Sequence, residues 1–186
     1  MKTQLPLASR RGLIIGVGNA YRHDDAAGLC VARRLQQQAP PGFEFVEMSG
    51  EGAALLEAWS GFETVILIDA VASAAQPGTV YRFAAHERHL PAKFFHYSSH
   101  AFSVAEAIEL ARALAQLPRQ LFVYGIEGKD FTHGLGLSAE VTPAIKKVCT
   151  AVLRDIAQLS LPSLQNETRN LAHARTRAHQ RPAAQN

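Results

Sequence analysis

Asp25, Asp69 and His100 are the side chains whose types and placement suit chemistry best. Asp25 follows a glycine turn, Asp69 ends the apolar run Thr64 to Ile68, and His100 stands just before a helical pattern. Two carboxylates brought together without a cation repel one another, and desolvation sharpens the repulsion. Such a site calls for a metal ion, a proton or ordered water. An imidazole near the positive end of a helix dipole is disfavoured as imidazolium, which keeps His100 neutral and free to act as a ligand. Two carboxylate oxygens and one imidazole nitrogen suit a borderline divalent ion with coordination positions left open, and nickel and zinc both meet that description. Each residue taken alone has a plainer role. Asp69 would serve as a loop cap and His100 as a satisfied structural histidine, while Asp24 and Asp25 complement the dipole of a helix start. Adjacent helical residues diverge by about 100°, so Asp24 is expected to cap the helix while Asp25 reaches inward. The combination carries the sharper reading.

The elements that must position these residues alternate. Leu13 to Val17 reads as a strand, Gly16-Val17-Gly18-Asn19 as a tight turn, and Gly28, Val31, Ala32 and Leu35 as one stripe of a helix. Phe43 to Met48 reads as a strand, Gly52 to Trp59 as a short helix, and Thr64 to Ile68 as a buried strand running into Asp69. Pro77-Gly78 marks a turn, Thr79 to Phe83 a further strand, and the histidine-rich stretch His86 to Ser99 a long loop. A helix is expected over Ala101 to Gln116 with Val104, Ile108, Ala111 and Ala115 inward, and Ser103 with Glu106 fits a capping box. Gln120 to Tyr124 is a strand, Gly125 to Ser138 a glycine-rich loop, and Thr142-Pro143 opens a last helix that buries Ile145, Val148, Cys149, Val152 and Ile156. This order predicts an α/β three-layer sandwich: a mostly parallel, twisted sheet with helices on both faces and its site outside the carboxyl ends of the strands.

Composition narrows the function. The 186 residues, 47% of them hydrophobic, suffice for one domain, expected over residues 12–159, with a flexible leader at 1–11 and a disordered basic tail at 160–186. Four arginines against Glu167 in that tail carry a formal +3, the whole charge of the protein, so the body is neutral and nucleic-acid binding is not expected. No apolar run approaches a membrane span and no signal-peptide core is visible, which predicts a soluble cytoplasmic protein. Cys30 and Cys149 form no C-x-x-C pair and fall on apolar faces, as reduced core thiols would. Gly16-Val17-Gly18 begins like a dinucleotide fingerprint, but Tyr21 stands where the third glycine belongs and no acid ends the second strand. A G-x-S-x-G elbow is lacking, and Ser98-Ser99-His100 as sequence neighbours do not make a nucleophile and base. His86, His89 and His96 are read as residues of a solvated loop.

Four motifs in order resemble one family. Gly16-Val17-Gly18-Asn19 with Asp24-Asp25 and Gly28, then Ile66-Leu67-Ile68-Asp69-Ala70, Ser98-x-His100, and Gly136-Leu137-Ser138-x-x-Val141 are similar to the hydrogenase maturation proteases. The resemblance spans about residues 12–156, and departs from the commoner D-D-G-x-G form at Ala26. It implies an endopeptidase that trims the C-terminal extension of a [NiFe]-hydrogenase large-subunit precursor after nickel insertion. Carried onto this sequence, Asp25, Asp69 and His100 bind the metal and serve catalysis, and Gly16, Gly18 and Asn19 shape the cleft. It further implies that nickel arrives with the substrate and is not held permanently. The chain is expected to be monomeric. The competing reading is a non-catalytic metal- or nucleotide-binding α/β module, for which a glycine turn at a sheet edge is equally serviceable.

Overall fold

The computed structural model describes residues 10–38, 42–91 and 103–159. The described residues divide into two units, one up to residue 149 and one from residue 150 to 159. The first is built on five strands: β1 (Arg10–Val17), β2 (Phe43–Met48), β3 (Phe62–Val71), β4 (Val80–Ala84) and β5 (Gln120–Glu127). They form one sheet in the order β2-β1-β3-β5-β4, in which β2, β1, β3 and β5 run parallel and β4 is an antiparallel edge. Helices α1 (Ala27–Gln36), α2 (Gly52–Ala58) and α3 (Val104–Ala113) connect them. Residues 142–149 are helical in the first unit, and residues 150–159 are helical in the second.

Both sheet faces are covered. Leu13, Ile15 and Val17 of β1, Val65, Leu67 and Val71 of β3, and Leu121 and Val123 of β5 share one core with Leu55 of α2 and Val104, Ala107, Ile108 and Ala111 of α3. The opposite face of β1 receives α1, and burial of aliphatic side chains of this size stabilises by about 1.5–3 kcal/mol each. Close contact there depends on glycine. A Cβ on Gly16 would lie 2.7 Å from Ala32 Cβ, and one on Gly28 would lie 2.3 Å from Val17 O and 2.4 Å from Ile68 O. The start of α1 is thereby pressed onto the carboxyl ends of β1 and β3.

Several boundaries differ from the sequence reading, each for a local reason. β3 does not stop at Asp69 but continues to Val71, because Asp69, Ala70 and Val71 pair with Gly125, Ile126 and Glu127 of an equally extended β5. α3 begins at Val104, where Ser103 in extended backbone accepts from Glu106 N and donates its own N–H to Glu106 Oε2. It ends at Ala113. Ala115, expected to face inward, is exposed with φ 54°, a left-handed conformation outside the helix. No helix among the described residues is long and apolar enough to cross a membrane.

Candidate active site

The chain leaves β1 to one side for β2, and β3 lies on the other, so β1 and β3 flank the switch point where open α/β sheets place their sites. The last β1–β3 pair is Gly16 with Ile68. Asp69 is thus the first residue of β3 to pass the edge of β1. By strand alternation it shares the face of Leu67 and Val71, the side covered by α2 and α3.

The turn after β1 delivers the second carboxylate. Gly18 has φ 140°, and a Cβ there would lie 1.8 Å from Asp25 O, so the chain folds back on itself in a way only glycine permits. Asn19 N donates to Asp25 Oδ2 at 2.9 Å, while Asn19 Oδ1 accepts from Tyr21 N at 2.9 Å. Asp25 lies in a 3₁₀ turn, His23–Ala26, ahead of α1 rather than within it. His23, which opens this turn, has φ 44°, a left-handed value uncommon for a residue with a side chain.

Asp24 does not cap the helix, contrary to the expectation from sequence. No side chain caps the turn or α1. Asp24 is fully buried and accepts from Ser138 N and Ser138 Oγ, both at 2.7 Å, from Lys129 N at 2.8 Å and from Asp130 N at 2.9 Å. Burial pushes its carboxyl up, but the bonds from Ser138, Asp130 and Lys129 outweigh that and hold it below the ordinary carboxylate range. Backbone contacts reinforce the union: Asp24 N donates to Asp130 O, His23 N to Gly134 O and Gly134 N to Tyr21 O, and Arg22 forms a parallel bridge with Gly134. The β1 turn and the loop after β5 are one laced unit.

A second buried carboxylate fixes the loop after β3. Glu127, at the end of β5, accepts from Ser73 N at 2.7 Å, Ser73 Oγ at 2.6 Å and Ala75 N at 3.2 Å. Sequence reasoning passed over Glu127; the signal was an acid ending a wholly apolar run, the same pattern that singled out Asp69.

Asp69 and Asp24 are shifted in opposite directions. Asp69 is pushed up to about 7, first by burial and then by the negative charge of Asp25, against a hydrogen bond from Ala70 N–H. Near neutral pH the Asp69 carboxyl is thus able to take up a proton, which relieves its repulsion from Asp25. Asp25 and Asp69 thus interact electrostatically. His100 lies outside the described residues, as does His96. Among the described residues no group of three or more His, Cys, Asp or Glu is arranged to hold a metal ion. His86 bonds to the backbone of Leu121 and His89 to Glu109, both away from this edge. Burial pushes up both thiols, Cys149 buried and Cys30 partly so, as expected of core cysteines and not of nucleophiles.

Known proteins share this fold and sequence pattern. The profile of the HycI hydrogenase maturation protease family matches residues 29–155. The hydrogenase 2 maturation protease of Escherichia coli K12 is 27% identical over 160 residues, covering 82% of this chain and 96% of that protein. The solution structure of an endopeptidase from E. coli superposes with a TM-score of 0.70 at 26% identity, over 80% of this chain and 93% of the other. The [NiFe] hydrogenase maturation protease HybD from Thermococcus kodakarensis does so with a TM-score of 0.61 at 29% identity, over 76% and 96%.

Proposed function

This chain belongs to the hydrogenase maturation protease family, and from that premise we propose that it removes the C-terminal extension of a [NiFe]-hydrogenase large-subunit precursor once nickel has been inserted. It is a hydrolase of peptide bonds, which sets aside the non-catalytic binding module. The observation that carries the finer reading is the pair Asp25 and Asp69 at the switch-point edge, with Asp69 kept protonatable near neutrality by burial and by its partner. A cation entering this edge displaces that proton and is welcomed by two carboxylates that otherwise repel. Nickel is part of the substrate here, held by cysteines of the precursor, and it docks on Asp25, Asp69 and His100.

Docking in this way makes recognition a test of completed metal insertion. A precursor without nickel brings no charge to the acid pair and is not seated. Seating places the adjacent peptide bond in the cleft framed by Gly16, Gly18 and Asn19, where orientation supplies much of the rate and the ion polarises carbonyl or water. Asp25 or Asp69 guides the attacking water. The reaction belongs in the cytoplasm, where the two free thiols stay reduced, and a single copy of the chain suffices for it.

The test is to incubate the purified protein with nickel-loaded and nickel-free precursor and compare intact masses. Loss of a short C-terminal peptide from the loaded form alone is the expected result. Equal cutting of both forms would remove nickel from recognition, and cutting of neither across candidate precursors would overturn the reading.

A further inference from the structure

Four large apolar side chains stand well exposed among the described residues: Tyr21, Leu110, Leu114 and Leu135. Leu110 and Leu114 belong to α3 and its end. Tyr21 and Leu135 are different in kind, for they are 70% and 72% exposed and sit on the two segments laced together beside Asp25. They flank the bridged pair Arg22 and Gly134, and Gly134 N donates to Tyr21 O at 2.9 Å. Tyr21 is further tied to the acid site in two steps, through Tyr21 N to Asn19 Oδ1 and Asn19 N to Asp25 Oδ2.

Loop tips are ordinarily polar and mobile. Here backbone pairing and the four bonds to Asp24 hold two apolar side chains out in water on a fixed frame. They contribute little to the fold in that position, and the frame has already met most of the ordering cost that binding would otherwise impose. Exposed apolar groups on a rigid rim next to a site are the usual anchors of a partner, and tyrosine adds a polar tip that tolerates the free state.

We infer that Tyr21 and Leu135 grip apolar side chains of the large-subunit precursor next to the bond to be cut, and so help determine which precursor is accepted. The inference rests on the proposed function. The grip works beside the acid pair: the ion reports that the metal is in place, and the two apolar groups report the sequence around the cleavage point.

The experiment compares full-length wild type with Tyr21→Ser, Leu135→Ser, Tyr21→Phe and Leu114→Ser, following cleavage of nickel-loaded precursor over a range of precursor concentrations. Each serine change at the grip is expected to lower kcat/KM about tenfold, mainly through KM; a factor of ten is about 1.4 kcal/mol. Tyr21→Phe keeps the ring and restores most of the loss, and Leu114→Ser, which removes an equally apolar group from elsewhere, has no such effect. Thermal melts confirm that the variants stay folded, as the exposure of both residues leads one to expect. Active wild type with KM unchanged in Tyr21→Ser and Leu135→Ser overturns the grip and leaves the proposed function standing. So does a dimer, seen by size exclusion, that these changes convert to monomer with KM unaltered, since the surface would then serve self-association. Wild type that leaves the loaded precursor intact overturns the proposed function and the grip with it.

Discussion

Replacing Asp69 with Asn separates what this carboxyl does for the reaction from what it costs the fold. In the folded chain burial, then the charge of Asp25, raise it from an ordinary 3.8 to about 7. In the unfolded chain it ionises near its ordinary value. A carboxyl raised by folding contributes its full stability below its unfolded pKa and loses it as pH climbs through the folded one. A shift of about three units, at about 1.4 kcal/mol per unit, makes that loss about 4 kcal/mol by pH 8. Asparagine does not titrate, and any hydrogen bond its amide gains or loses is a constant offset. The stability of Asp69→Asn relative to wild type should therefore increase by about 4 kcal/mol between pH 4 and pH 8, or about 10 °C in Tm. Denaturant titrations of metal-free protein at a series of pH values measure the difference directly. The same variant should no longer cleave loaded precursor. A difference that stays flat with pH would show Asp69 ionising as freely as a surface carboxylate, and would refute the reasoning that burial and the charge of Asp25 hold its carboxyl up.

Two further substitutions probe the frame. Asp24→Ala strips the acceptor from three backbone N–H groups and a hydroxyl in a buried place, and should destabilise by more than about 3 kcal/mol in denaturant melts. Because the Asp24 carboxyl is held below its ordinary range, its contribution is present above that range and lost as pH falls through the depressed value; the variant should lack that acid-side decline. Gly28→Ala forces a methyl against Val17 O and Ile68 O, which are backbone atoms with little room to move. It should cost about 1–3 kcal/mol, and, by lifting the start of α1 from the strand ends, should depress precursor cleavage more than its stability loss explains.

The fold was largely legible because its signals are local. Phe43–Met48 as β2, Gly52 as the start of α2 and the Ser103–Glu106 capping box are written within a few residues of one another. Asp25 and Asp69 drew notice because one follows a glycine turn and the other follows a buried apolar run, although β3 itself continues to Val71. What could not be read was partnership across distance. Asp24 looks like a helix cap from its neighbours, yet its donors are Lys129, Asp130 and Ser138. Glu127 needed Ser73 and Ala75 to explain it. The exposure of Tyr21 and Leu135 gains meaning only once Arg22 and Gly134 are paired.

The clamp around Asp24 also orders the protein in time. Asp24 and Ser138 are 114 residues apart, and β5 must slot between β3 and β4 before the loop beyond it can turn back. Contacts of such sequence separation form late, and a nascent chain exposes its N-terminal part first. Asp25 thus leaves the ribosome long before anything seats it, and β4 waits without a partner until β5 arrives. A chain interrupted before residue 138 lacks two of the four bonds that hold Asp24, so the turn that carries Asp25 is left without its clamp until synthesis of the domain is nearly complete.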